Sequence, residues 1–268
     1  MRQSIKKYVR GGALVALSST FLMAGGDVSP PIAEEAVIYT AVDNSDAWKF
    51  QLSPMFLWAV KIDGQSTVGP VDSPLELDFG DVVENLNVVF TFHFEANKGD
   101  WALFSELQYV NLDPAEDISP TASMEIDFKN YLFELGTAYT FSRSEHSTWE
   151  GLVGLRYNQQ KLKTTLQPAS MELINVTENW TDVFVGLRNS YAISDKWLLI
   201  SRADIGAGGA DLVWNAVVMA DYRFNDWGSV FFGYKAMDYD YNNDEIGLDA
   251  YAYDATQHGP LLGLNIHW

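Results

Sequence analysis

From Leu86 to the last residue, apolar and polar side chains alternate along this chain with a period of two. Between Leu86 and Asn97, Val88, Phe90, Phe92, Phe94 and Ala96 fall on one parity, and Asn87, Thr91, His93, Glu95 and Asn97 on the other. Successive side chains of a strand point to opposite faces, so this pattern predicts a strand with one apolar and one polar face. A helix would space its apolar residues three and four apart. The same rhythm returns in Trp101–Tyr109, Tyr131–Phe141, Trp149–Asn158, Val183–Ile193, Trp197–Ile205, Trp214–Phe224, Val230–Lys235 and Leu262–Trp268. A first, less regular strand lies around Trp48 to Ile62. The expected fold is all-β: an antiparallel up-and-down barrel of about ten strands.

The connections alternate too. Residues 97–100, 142–148, 194–196 and 225–226 are short and rich in Asn, Asp, Ser and Gly. Residues 63–85, 113–123, 166–179 and 242–249 are longer, and only 206–211 breaks the trend. Short turns on one side and long loops on the other mark a transmembrane barrel. Trp101, Trp149, Trp197 and Trp227 each follow a short turn, and Trp268 falls at the same level, as a membrane-interface girdle would require. Composition fits this better than it first suggests. Only 47% of residues are hydrophobic, and no later stretch is apolar enough for a spanning helix, but a membrane barrel needs only alternate residues to face lipid. The soluble alternatives, a β-sandwich or a lipocalin-like barrel, alternate as well but bury their apolar face.

The N-terminus favours export. Arg2, Lys6, Lys7 and Arg10 precede an apolar run from Gly11 to Met23, and Ala24-Gly25-Gly26 offers small residues for cleavage. Residues 1–26 therefore form the expected signal peptide, 27–46 a periplasmic lead containing Pro30-Pro31, and 47–268 the barrel. There is no Cys, hence no disulfide. The formal charge is -19, and removing residues 1–26 takes away four bases and no acid, leaving about -23. Such an acidic chain lacks the basic footprint that nucleic-acid binding needs.

The closing strand, Gly263-Leu264-Asn265-Ile266-His267-Trp268, ends on an aromatic in mid-alternation. With Glu95-Ala96-Asn97-Lys98-Gly99-Asp100-Trp101 and His258-Gly259-Pro260-Leu261-Leu262-Gly263-Leu264, it resembles small Gram-negative outer-membrane β-barrel proteins of the OmpA/OmpW-like class. The resemblance implies residence in the outer membrane among lipids and lipopolysaccharide, and recognition of the C-terminal strand by the barrel-assembly machinery. It implies no cofactor and no activity of its own.

If the polar parity faces the lumen, acids and bases meet there. Glu95, Glu106, Glu134, Asp204 and Asp221 would stand against Arg156, Arg188, Arg202, Arg223 and Lys235. Ten strands enclose little more than side chains fill, so these charges either plug the barrel or line a narrow, selective pore. In the first long loop, Asp81 is a candidate N-cap for a helix over Val82 to Leu86, which would constrict the barrel mouth or lie on it as a lid. In the last loop, Asp238, Asp240, Asn242 and Asp249 echo a calcium loop weakly, because Asn243 stands where Gly is required. Of the four histidines, His93 and His267 share the lumen parity, His146 lies in a short turn, and His258 lies on the lipid-facing parity toward the long loops. No Ser-His-acid spacing and no nucleophile motif accompanies them, nor any motif matching the rim Asp and His of the ten-strand omptin proteases, so a lipid-modifying enzyme is the third-ranked expectation.

Overall fold

The computed structural model describes residues 47–54, 56–119 and 121–268. The expected signal peptide and all of the lead at 27–46 lie outside the described residues. Fourteen strands follow: β1 (Lys49–Ser53), β2 (Phe56–Trp58), β3 (Lys61–Val68), β4 (Val71–Leu77), β5 (Leu86–Lys98), β6 (Trp101–Leu112), β7 (Ala115–Ser119), β8 (Ala122–Arg143), β9 (Ser147–Gln167), β10 (Met171–Ser194), β11 (Trp197–Gly208), β12 (Leu212–Asn225), β13 (Gly228–Asn242) and β14 (Tyr251–His267). One helix, α1 (Phe79–Glu84), sits between β4 and β5. Neighbours pair antiparallel in the order β1-β5-β6-β8-β9-β10-β11-β12-β13-β14, and β14 returns to β1 through Gln51↔His267 and Leu52↔Ile266. The ring therefore has ten strands, and no sheet edge is left at that seam.

The first strand departs from expectation. It is broken into β1, β2 and β3, all paired with β14. β1 stops before Pro54, which lacks the N–H a ladder needs. β1 pairs with β5 only as far as Ser53↔His93. Just above, Thr91 ties the wall together: its hydroxyl accepts from the Phe56 N–H at 2.7 Å and donates to the Phe56 carbonyl at 2.5 Å. The segment 63–85 is not one loop. It contains the rest of β3, the β3–β4 hairpin and α1. The helix begins three residues earlier than expected because Asp78 is the N-cap and Asp81 the reciprocal partner, accepting from the Asp78 N–H at 2.9 Å. None of its residues is buried, and its first turn shares a surface cleft with Tyr234, His258 and Pro260 on the outer face of β13 and β14.

The long connections at 113–123 and 166–179 are also mostly strand, whereas 243–250 is a loop with one 3-10 turn, Gly247–Asp249. β9 and β10 run on to Gln167 and from Met171, and β7 pairs with the start of β8. Here the outward face carries Lys161, Lys163 and Thr165 instead of apolar residues. A strand keeps its direction when its outer face turns polar, but the alternation that reveals it in sequence is lost.

Around the ring the outward parity is apolar and exposed. Val153, Leu155, Val183, Val185, Leu187, Ile205, Val218, Phe232 and Leu262 form a belt on strands β9 to β14. A soluble monomer seldom leaves a contiguous apolar surface of this extent in water. Below the belt, beside the short turns, Trp101 packs on Tyr139 at 4.8 Å, Trp197 on Tyr222 at 4.8 Å, Trp227 on Phe224 at 5.5 Å and Trp268 on Phe50 at 5.6 Å between ring centroids. Trp149 is exposed at the same end, opposite Ser142. Among the described residues no helix is long and apolar enough to cross a membrane, and strands make the wall instead.

Candidate functional site

The lumen holds the charged residues in stacked groups, each placed by the inward parity of its strand. Nearest the short turns, Asp221 accepts from Ser229 at 2.7 Å and from Asn265 at 2.8 Å, and Ser53 donates to Asn265 at 2.5 Å. This buried cluster joins β12, β13, β14 and β1 beside the closing seam. Arg223, expected among the lumen bases, instead reaches the turn below and donates to the Asn225 and Asp226 carbonyls at 3.2 and 2.8 Å. It stands two residues nearer the strand end than Asp221, so its long side chain meets the turn rather than the barrel axis.

Across the lumen, Arg188 is gripped on both sides. Its guanidinium donates to Glu150 at 2.6 and 3.0 Å and to Glu95 at 2.5 and 3.0 Å. Above it, Lys235 and Gln108 donate to Glu106 at 3.0 and 2.6 Å, and His93 Nδ1 lies 3.3 Å from the same carboxylate. The Lys235 ammonium also rests 4.8 Å from the Trp58 ring centre.

The next group is a closed ring of four. Arg156 donates to Glu134 and to Asp204, both at 2.7 Å, and Arg202 donates to Asp204 at 2.7 Å and to Glu134 at 2.9 Å. Asn215 adds a bond to Asp204 at 2.9 Å. The ring is neutral, and Arg156 has no exposed surface at all. Phe184 lies 4.8 Å from the Arg156 guanidinium and 5.3 Å from that of Arg202, with Phe104 5.4 Å from Arg202. Two facing glycines make room for these rings: a Cβ on Gly136 would come within 2.5 Å of Phe104, and one on Gly154 within 2.6 Å of Phe184.

An aromatic layer covers the ring on the side of the long hairpins. Trp180 stacks on Tyr241 at 4.0 Å, meets Tyr239 edge-on at 6.3 Å, and packs with Tyr251, Tyr253, Met237 and Val213 in one buried cluster. Sequence reasoning missed this layer and passed over Glu150 as a partner of Arg188. A signal was present: carrying the phase of Lys235 upward puts Met237, Tyr239 and Tyr241 on the inner face.

The calcium-like residues do not form a loop. Asp238, Asp240 and Asn242 are on β13; Asp238 bonds Thr256, Asp240 faces Asp254, and Asn242 donates to Asp211 at 2.9 Å. Asp249 lies apart, in a short 3-10 turn. A strand holds alternate side chains at fixed spacing on one face and cannot wrap them around an ion. Among the described residues no group of three or more His, Asp or Glu is arranged to hold a metal.

His258, on the outer face, has the partners that spacing did not reveal. Its Nδ1 is 2.6 Å from the Tyr234 hydroxyl and its Nε2 is 3.0 Å from Asp63, which also meets Lys61 at 3.0 Å. β3, β14 and β13 lie side by side, so residues 195 positions apart become neighbours.

No family model and no curated protein matches the chain. Solved structures do. The outer-membrane protease OmpT of Escherichia coli aligns with a TM-score of 0.48 at 9% identity, over 82% of this chain and 96% of that one. Ail, the attachment invasion locus protein of Yersinia pestis, aligns with a TM-score of 0.36 at 9% identity, over 82% and 97%. The toluene transporter TbuX of Ralstonia pickettii aligns with a TM-score of 0.28 at 9% identity, over 87% and 92%. All are outer-membrane barrels, and likeness at this level concerns architecture alone. The closed ring, the outward apolar belt and the aromatic collar make this chain an integral outer-membrane β-barrel protein.

Proposed function

We propose that this protein is a closed, non-conducting barrel whose role is structural or surface-exposed, with its protruding hairpins as the contact surface. The observation that carries this is the four-charge ring of Glu134, Arg156, Asp204 and Arg202 lying directly beneath the Trp180–Tyr241 layer. Together they fill the middle of a lumen that is narrow to begin with. The lumen charges then act as a plug, and Trp101, Trp149, Trp197, Trp227 and Trp268 anchor one membrane interface. By the usual sidedness of such barrels, the short turns face the periplasm and the long hairpins the outside, among lipopolysaccharide.

The test is conductance of residues 27–268 refolded into planar bilayers, with heat-modifiable gel mobility to establish folding. A folded barrel that gives no steady openings is the expected result. Discrete openings whose ion selectivity changes in Arg188→Glu would instead make the protein a narrow porin, the alternative function.

A further inference from the structure

Below the charge ring the lumen is not filled. A cavity of about 360 Å³ reaches from the short-turn end, at Lys49, Asp100 and Arg143, up to Glu106, Arg202 and Lys235. Its two walls differ. One, from β11 to β14, is apolar and presents Ile200, Val217, Met219, Phe231 and Leu261. The other, from β5, β9 and β10, carries His93, Ser190 and the Glu95–Arg188–Glu150 bridge. Lumen-facing positions of these barrels are ordinarily polar, and water finds few partners along an apolar sector. The charges on the lining are all engaged. Arg188 holds Glu95 and Glu150 at 2.5 and 2.6 Å, Lys235 holds Glu106 at 3.0 Å, and Arg143 meets Asp100 at 2.6 Å. Arg202 belongs to the neutral ring, and Lys49 and Lys98 at the mouth are engaged as well. An ion entering here would exchange its hydration for an apolar wall and find no free counter-charge, a cost that an uncharged molecule does not meet. Two hydrogen-bonding side chains are left over: Gln51 and Ser190 line the cavity and make no side-chain hydrogen bond among the described residues.

We propose that this cavity is a binding site, entered from the short-turn side, for a small uncharged amphiphile: an apolar body carrying one hydroxyl or carbonyl group. The body lies against Val217, Met219 and Phe231, and the polar group bonds to Gln51 or Ser190 on the facing wall. The volume is at the lower end of what small-molecule sites occupy, and an apolar cavity with a few convergent polar groups is their usual form. Entry from one end alone rests on the closed-barrel function proposed above; the two-walled chemistry does not.

The absence of cysteine gives a direct test. Val217 lies on the apolar wall, and Ser144 is exposed in a short turn. Single variants Val217→Cys and Ser144→Cys, in oriented proteoliposomes, are labelled with the uncharged reagent methyl methanethiosulfonate. Three competitors share one body and differ in the head: 4-tert-butylcyclohexanol, the matching carboxylate and the matching ammonium. The alcohol is expected to slow labelling of Val217→Cys several-fold and to leave Ser144→Cys unchanged, while the two ions protect neither. Adding Met219→Glu should remove the protection. No protection by the alcohol, equal protection by either ion, equal slowing at Ser144→Cys, or protection that survives Met219→Glu overturns the site. Labelling of Val217→Cys by a membrane-impermeant sulfonate reagent from the hairpin side overturns the closed barrel and leaves the site standing. Ser190→Cys, on the same lining, serves if Val217→Cys does not fold.

Discussion

Replacing Arg156 with Ala is expected to lower the stability of the folded barrel by about 3–5 kcal/mol, the cost of leaving a buried charge without its partner. The expectation follows from the ring's geometry. Arg156 has no exposed surface, and Glu134 and Asp204 each take one of its two ion-pair bonds. Without it, two carboxylates share Arg202 alone, in a space walled by Phe104 and Phe184. Urea titration of protein folded into lipid vesicles, followed by tryptophan fluorescence, measures the change. The double variant Arg156→Met with Glu134→Leu should lose less than the two single losses combined, because removing both members of a buried pair leaves fewer uncompensated charges. A loss below about 1 kcal/mol for Arg156→Ala would mean a hydrated, loosely filled lumen of the kind a pore has.

The second large effect belongs to the outer surface. Val185→Arg is expected to cost about 2–4 kcal/mol, the penalty for a cation facing lipid near the bilayer midplane. Register fixes its depth. On β9, Trp149 lies opposite Asn189 of β10 and Tyr157 opposite Thr181, so Val185, opposite Val153, is midway between the collar residue Trp149 and Tyr157. Its side chain is 53% exposed on the outer face, so the exchange acts mainly through contact with lipid. Ile246→Arg, in the connection between β13 and β14 where Ile246 is 88% exposed, should leave stability unchanged. The same vesicle titration distinguishes them. Equal, small effects at both positions would mean that the belt faces water and that the barrel is not embedded.

The wall was readable wherever its outer face is apolar. From Trp101 to Ile205 the parity of Leu103, Leu135, Val153, Leu155, Val185 and Leu187 matches their exposure on the outside of the ring, and Glu95, Glu106, Glu134, Arg156, Arg188, Arg202, Asp204 and Lys235 all point inward. Strands were underestimated at the hairpin end. Once Lys161 replaces an apolar residue on the outer face of β9, or Asp238 on that of β13 where Met237, Tyr239 and Tyr241 line the inside, the apolar-outside pattern is lost or reversed, though the hydrogen-bonded ladder continues. The first strand was blurred because Pro54 interrupts it and because three short pieces share one partner.

Partnership was a different matter. Parity says that Glu134 and Arg156 share a face, but their bond depends on register between β8 and β9, where they stand directly opposite. Arg188 reaches Glu95 across the lumen from a strand 93 residues away, and His258 meets Asp63 across 195. The sequence alone determined a barrel wall, its apolar outside and its charged inside, because each is a consequence of a strand's period of two, and its aromatic collar, because a Trp follows each short turn. Only the tertiary structure decided that four of those charges close into one neutral ring, that Arg223 turns away to the strand end, and that an apolar-walled cavity lies beneath. Those depend on how ten strands are staggered around a closed ring, and stagger is a property of all the strands together, which no single stretch of sequence carries.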